Sequence, residues 1–80
     1  MTANISLSPD PPVHDQQVLI CANGATYPLK ITITLSDGRV ATIQIVKGCE
    51  YWTVPKNAAG LWINFHDESG QAPDESRQVV

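Results

Sequence analysis

Charge is scarce in this chain. Asp, Glu, Lys and Arg supply 16% of its 80 residues, while 42% are hydrophobic. A helical bundle carries more charge on its solvent faces, and a disordered chain carries fewer apolar residues, so both classes are excluded. Basic residues do not cluster: Lys30, Arg39, Lys47, Lys56 and Arg77 are scattered. That excludes the cationic footprint of nucleic-acid binding. Long apolar runs are missing too, the longest being Val18–Ala22, against the roughly 20 residues of a membrane helix, so no membrane insertion is expected. The opening MTANISLSPDPP has neither the basic nor the apolar region of a secretion signal. As a natural start it implies synthesis without such a signal; as the edge of a fragment, Met1 carries no information.

A 3.6-residue period is also absent, and what stands in its place is alternation with period two. ISLS (5–8) alternates briefly, and QQVLICA (16–22) is rich in apolar and β-branched residues. LKITITLS (29–36) sets Leu29, Ile31, Ile33 and Leu35 on one face and Lys30, Thr32, Thr34 and Ser36 on the other. VATIQIV (40–46), EYWTV (50–54), LWINF (61–65) and SRQVV (76–80) complete the series. Turn chemistry separates the runs: the proline corner SPDPPVHD (8–15), Asn23-Gly24, Asp37-Gly38, Lys47-Gly48, PKNAAG (55–60) and the polar HDESGQAPD (66–74). Asp37-Gly38 between two alternating runs is a strong hairpin signal.

Short strands at this spacing predict one all-β domain, an immunoglobulin-like Greek-key sandwich of about seven short antiparallel strands. The expected inward set is Ile5, Leu7, Val18, Ile20, Leu29, Ile31, Ile33, Leu35, Ile43, Ile45, Trp52, Val54, Leu61, Ile63 and Phe65. The first, second and fifth runs would form one sheet, and the third, sixth and seventh the other. The fourth run is open between them, since its hairpin ties it to the third.

The stretch SPDPPVHDQQVLICANG resembles the opening of bacterial, phage and cell-surface immunoglobulin-like modules, and VPKNAAGLWINF resembles their corner between fifth and sixth strands. The resemblance lies in rhythm and covers most of the chain. It departs at His14-Asp15, where those modules place a glycine, and it lacks the Cys…Trp…Cys pattern of antibody domains, because neither Trp52 nor Trp62 falls on the third run. It implies a fold class and no particular activity.

Cys21 ends the second run and Cys49 starts the fifth. In a Greek-key sandwich these runs are neighbours in one sheet with those ends together, so a disulfide is one reading and two unpaired, half-buried thiols the other. A bridge would close a loop of about 29 residues and contribute roughly 3–4 kcal/mol. It would favour an extracellular, cell-surface or virion setting; reduced thiols in a full-length chain would favour the cytoplasm.

Four carboxylates, Asp67, Glu68, Asp74 and Glu75, share one loop region. They are candidates for a calcium site, although their ordinary role is a solvated loop. His66 would approach Asp67. Trp62 has the opposite parity to Leu61, Ile63 and Phe65, so it should point outward. There it is either covered by a loop or packed beside Asn64, or else free as a contact platform for another chain or a sugar ring. No nucleophile elbow, zinc spacing or cofactor loop is present, so no enzyme activity and no cofactor are expected. The expected function is a non-enzymatic protein-interaction or structural module, acting on a protein partner or by self-association, with Trp62, Tyr51 and His66 as interaction candidates. The alternative is a carbohydrate- or calcium-binding module, with Trp62 beside Tyr51 for a sugar.

Overall fold

Alternation becomes pleated structure along the whole chain. The computed structural model describes residues 2–80; Met1, on which the reading of the chain's start turned, lies outside the described residues. The strands are β1 (Asn4–Ser8), β2 (Gln17–Asn23), β3 (Leu29–Leu35), β4 (Val40–Ile45), β5 (Cys49–Thr53), β6 (Trp62–Asp67) and β7 (Glu75–Gln78). They form two antiparallel sheets, a three-stranded one of order β1-β2-β5 and a four-stranded one of order β4-β3-β6-β7. Among the described residues no helix is long and apolar enough to cross a membrane.

β3 shows how the sequence dictates this arrangement. Its four alternate apolar side chains, Leu29, Ile31, Ile33 and Leu35, are at most 4% exposed. The polar side chains between them stay at the surface. A strand with one apolar face must bury it against another layer, and the three-stranded sheet supplies that layer with Ile5, Leu7, Val18 and Ile20. Ile63 and Phe65 of β6, each 0% exposed, complete the centre. At about 1.5–3 kcal/mol for each large side chain taken from water, this one apolar cluster is what holds the sheets together.

The turn Ser36–Gly38 decides the place of β4. Gly38 has φ 99°, in the left-handed region that a residue without Cβ adopts at little cost. The Leu35 N–H donates to the Arg39 carbonyl at 2.8 Å, and Asp37 accepts from the Arg39 N–H and from its Nε. The hairpin therefore pairs β4 with β3, and the fourth strand joins the four-stranded sheet.

The core differs from the expected set at its margins. Ile43, Trp52 and Leu61 are only partly buried. Ile43 and Trp52 lie on the edge strands β4 and β5 and are covered on one side only, and Leu61 precedes β6. Ala3, Ala22, Ala58, Ala72 and Val79 are buried in addition. Glu50 lies within β5, opposite Ile20, and remains exposed for the same edge reason.

Two links tie the chain ends and sheet neighbours. Cys21 and Cys49 stand directly opposite in the β2–β5 register and are joined as a disulfide. The proline corner crosses from β1 to the other sheet: the Val80 N–H donates to the Pro12 carbonyl at 3.0 Å, and the His14 N–H donates to the Val80 carbonyl at 2.9 Å. Pro12 is fully buried, so Pro9–Pro12 is a structural corner.

Candidate functional site

Because one parity of each strand is spent on the core, the other parity makes an outer face on the four-stranded sheet. β3 offers Lys30, Thr32 and Thr34, and β6 offers Trp62, Asn64 and His66. β4 adds Val40, Thr42 and Gln44 on one flank, and β7 adds Ser76 and Gln78 on the other. Trp62 is 54% exposed at one end of this face. Its backbone is fixed: the Trp62 N–H donates to Ser36 Oγ at 3.1 Å, and the Trp62 carbonyl accepts from the Ser36 N–H at 2.9 Å. Beside it runs an open groove of about 220 Å³, lined by Thr34, Leu35, Ser36, Trp62, Ile63, Asn64 and Ser76.

A chain of polar side chains continues from the groove. Ser76 Oγ donates to Asn64 Oδ1 at 2.8 Å, and Asn64 Nδ2 donates to Asp74 Oδ2 at 3.1 Å. Asp74 Oδ1 lies 2.7 Å from His66 Nδ1. His66 Nε2 is 3.8 Å from Glu68 Oε2, which accepts from Thr32 Oγ1 at 2.5 Å. The hydrogen bond to Asp74 holds the His66 pKa above its ordinary value, with the Asp74 and Glu68 charges adding to it. Asp74 is lowered in return, first by His66 and then by Asn64. These groups are solvated, so the network orients side chains more than it stabilises the fold.

The four loop carboxylates do not converge. Asp67 is 1% exposed and accepts from Ser69 N–H, Ser69 Oγ, Gln71 N–H and Ala72 N–H at 2.6–3.0 Å. Burial alone would raise its pKa; those donors outweigh it and hold the carboxyl below its ordinary value. Asp74 serves His66 and Asn64, Glu68 serves Thr32, and Glu75 accepts from Arg77 Nη1 at 3.0 Å. Among the described residues no group of three or more His, Cys, Asp or Glu is placed to hold a metal ion. Each of the four carboxylates is bound to a different protein donor. His66 takes Asp74 as its hydrogen-bond partner, and the Asp67 charge adds to its raised pKa.

The expected neighbourhood of Trp62 and Tyr51 is not formed. Tyr51 pairs with Leu19 on the outer side of the three-stranded sheet, with Trp52 on the inward parity beside Val18. Trp62 projects from the other sheet, with Ile63 inward. The two rings thus face away from each other across the sandwich. Trp62 and His66 do share one face, as parity along the sixth run predicts. Asn64, on that same parity, was legible in the alternation but not singled out. Ser76 and Thr32 joined the network only through cross-strand register.

Comparison with known proteins finds no match: no family model fits the chain, and no curated protein and no solved structure is similar to it.

Proposed function

We propose that this chain is an immunoglobulin-like β-sandwich module that binds another protein, without catalysis, through the outer face of its four-stranded sheet. The strand order supports the immunoglobulin-like part. β5 returns to pair with β2, and β6 returns to pair with β3, after excursions through the other sheet, which is the Greek-key habit. The Cys21–Cys49 bridge joins the neighbouring second and fifth strands.

The observation that carries the binding reading is the exposure of Trp62, a large aromatic residue 54% exposed at the rim of a groove on a strand whose backbone is fixed by hydrogen bonds to Ser36. An aromatic on a fixed backbone loses little conformational freedom on contact and removes much apolar area from water, which is why Trp anchors so many interfaces. The polar chain Ser76–Asn64–Asp74–His66 supplies a hydrogen-bonding rim. A sugar-binding reading is weaker, because Tyr51 stands on the opposite outer face and leaves one ring at the groove.

Trp62→Ala tests the proposal. Wild type and variant serve as paired baits in quantitative capture from extract of the source, and both are titrated with oligosaccharides while tryptophan emission is followed. At least one protein should be retained by wild type and lost from Trp62→Ala, with the melting temperature unchanged and no oligosaccharide response. Identical capture by both baits removes the Trp62-centred interface.

A further inference from the structure

We propose that β4 is a self-association edge, pairing antiparallel with β4 of a second copy of this chain, with Thr42 on the two-fold axis. This goes beyond the Trp62 reading and uses the open backbone edge of β4, at the flank of the sheet whose face carries Trp62. β4 is hydrogen-bonded to β3 on one side and, among the described residues, to no strand on the other, although β5 of the second sheet lies close by. The phase of its hydrogen bonds follows from the hairpin. Leu35 and Arg39 form a hydrogen-bonded pair, and such pairs alternate along an antiparallel ladder. Ala41, Ile43 and Ile45 therefore turn their backbone groups to Ile33, Ile31 and Leu29. The N–H and C=O groups of Val40, Thr42 and Gln44 point out of the open edge.

Edge strands ordinarily carry devices that block further pairing: charges, prolines or bulges. β4 reads VATIQI, with no charged residue, no proline, and an unbroken register against β3. Of the other edges, β5 carries Glu50, and β7 carries Glu75 and Arg77. β1 is uncharged, but its apolar residues Ile5 and Leu7 are buried. Along β4 the apolar groups lie open: Val40 is 63% exposed, adjoining Val46 67%, and Ala41 and Ile43 are half-buried.

The strand is complementary to itself. With Thr42 on the axis, Val40 opposes Gln44 and Ala41 opposes Ile43. Each of Val40, Thr42 and Gln44 then exchanges its backbone hydrogen bonds with an equally exposed edge residue. A slip by one residue would set outward groups against groups already bonded to β3 and would turn the side chains to opposite faces. No like charges meet, and beyond the strand Lys47 of one copy falls on the side of Asp37 of the other. A foreign strand lacks this built-in match; an isologous pairing needs only one surface. Because the axis stands perpendicular to the sheet, both Trp62 faces lie on the same side of one continuous sheet. A weak dimer would thereby present two Trp62 sites to a repetitive partner, where avidity multiplies affinity. An edge of this length buries less than a standard interface, so the expected Kd lies between about 1 µM and 1 mM.

Sedimentation velocity over that concentration range tests the proposal. Wild type should shift from monomer to dimer as concentration rises. Thr42→Lys, which sets two like charges on the axis, should stay monomeric with unchanged circular dichroism and melting temperature. Val40→Lys alone should also stay monomeric, and adding Gln44→Glu should restore the dimer, since residues 40 and 44 oppose each other. Trp62→Ala should dimerise as wild type, so failure of the Trp62 interface and failure of the edge pairing give different results. A wild type that remains monomeric at about 1 mM overturns the proposal, as does a Thr42→Lys protein that dimerises normally. A double variant that fails to recover overturns the register.

Discussion

His66 and Asp74 show how far one side chain can be set by its neighbours. Both are well exposed, yet their 2.7 Å contact moves their titrations apart, His66 upward and Asp74 downward. The charged pair gives His66 a contribution that is full below its ordinary pKa of 6.5 and fades as pH rises through its raised folded value. Asp74 contributes above its ordinary value of 3.8 and loses that contribution as pH falls through its lowered folded value. Asp74→Asn removes the charge and the best acceptor. The His66 ring resonances followed by NMR across pH should then titrate closer to 6.5. An unchanged midpoint would show that Asp74 does not set the proton affinity of His66.

At the scale of elements, the β2–β5 pair has a covalent clamp at one end of its ladder, where Ser6 of β1 also pairs with Cys21. The three-stranded sheet has β5 as an edge, with five residues and one half-buried inward aromatic, Trp52. The Cys21–Cys49 link spans a sequence separation of 28. Constraining the unfolded chain by such a loop is worth roughly 3–4 kcal/mol, a large share of the 5–15 kcal/mol typical of a whole domain, roughly speaking. The Cys21→Ala/Cys49→Ala protein should lose about that much in denaturant unfolding, with the midpoint lowered and the dependence on denaturant little changed. A loss under about 1 kcal/mol would mean that β5 is held by its ladder and by Trp52 alone.

The whole molecule depends on a buried carboxylate as well as on its apolar layer. Asp67 closes β6 and organises the following turn through its four donors. Asp37, Asp67 and Asp74 all have lowered folded pKa values against an ordinary 3.8. The unfolded chain therefore binds more protons first, and stability falls as pH drops through those lowered values. Asp67→Asn exchanges an ionised acceptor for an amide with fewer lone pairs and should cost about 2 kcal/mol near neutral pH. It should also flatten the acid limb of a stability–pH curve measured by urea unfolding. An acid limb as steep as wild type would place that titration on other carboxylates.

Much of this was written in the order of residues. Period-two alternation alone fixes which side chains of β3 and β6 face inward, because successive Cβ atoms must point to opposite sides of a pleat. Asp37-Gly38 fixes one hairpin by local backbone preference, and the parity of LWINF fixes the outward turn of Trp62. The remainder needed contacts between distant segments, which no local pattern encodes. Register placed Cys21 against Cys49 and gathered Ser76, Asn64 and His66 into one chain of hydrogen bonds. The layering of two sheets separated Tyr51 from Trp62, although both are aromatic residues of exposed parity. Tertiary burial turned Asp67 from a loop anion into an internal hinge post of hydrogen bonds, since only a closed core can withdraw a carboxylate from water and oblige the backbone to replace it.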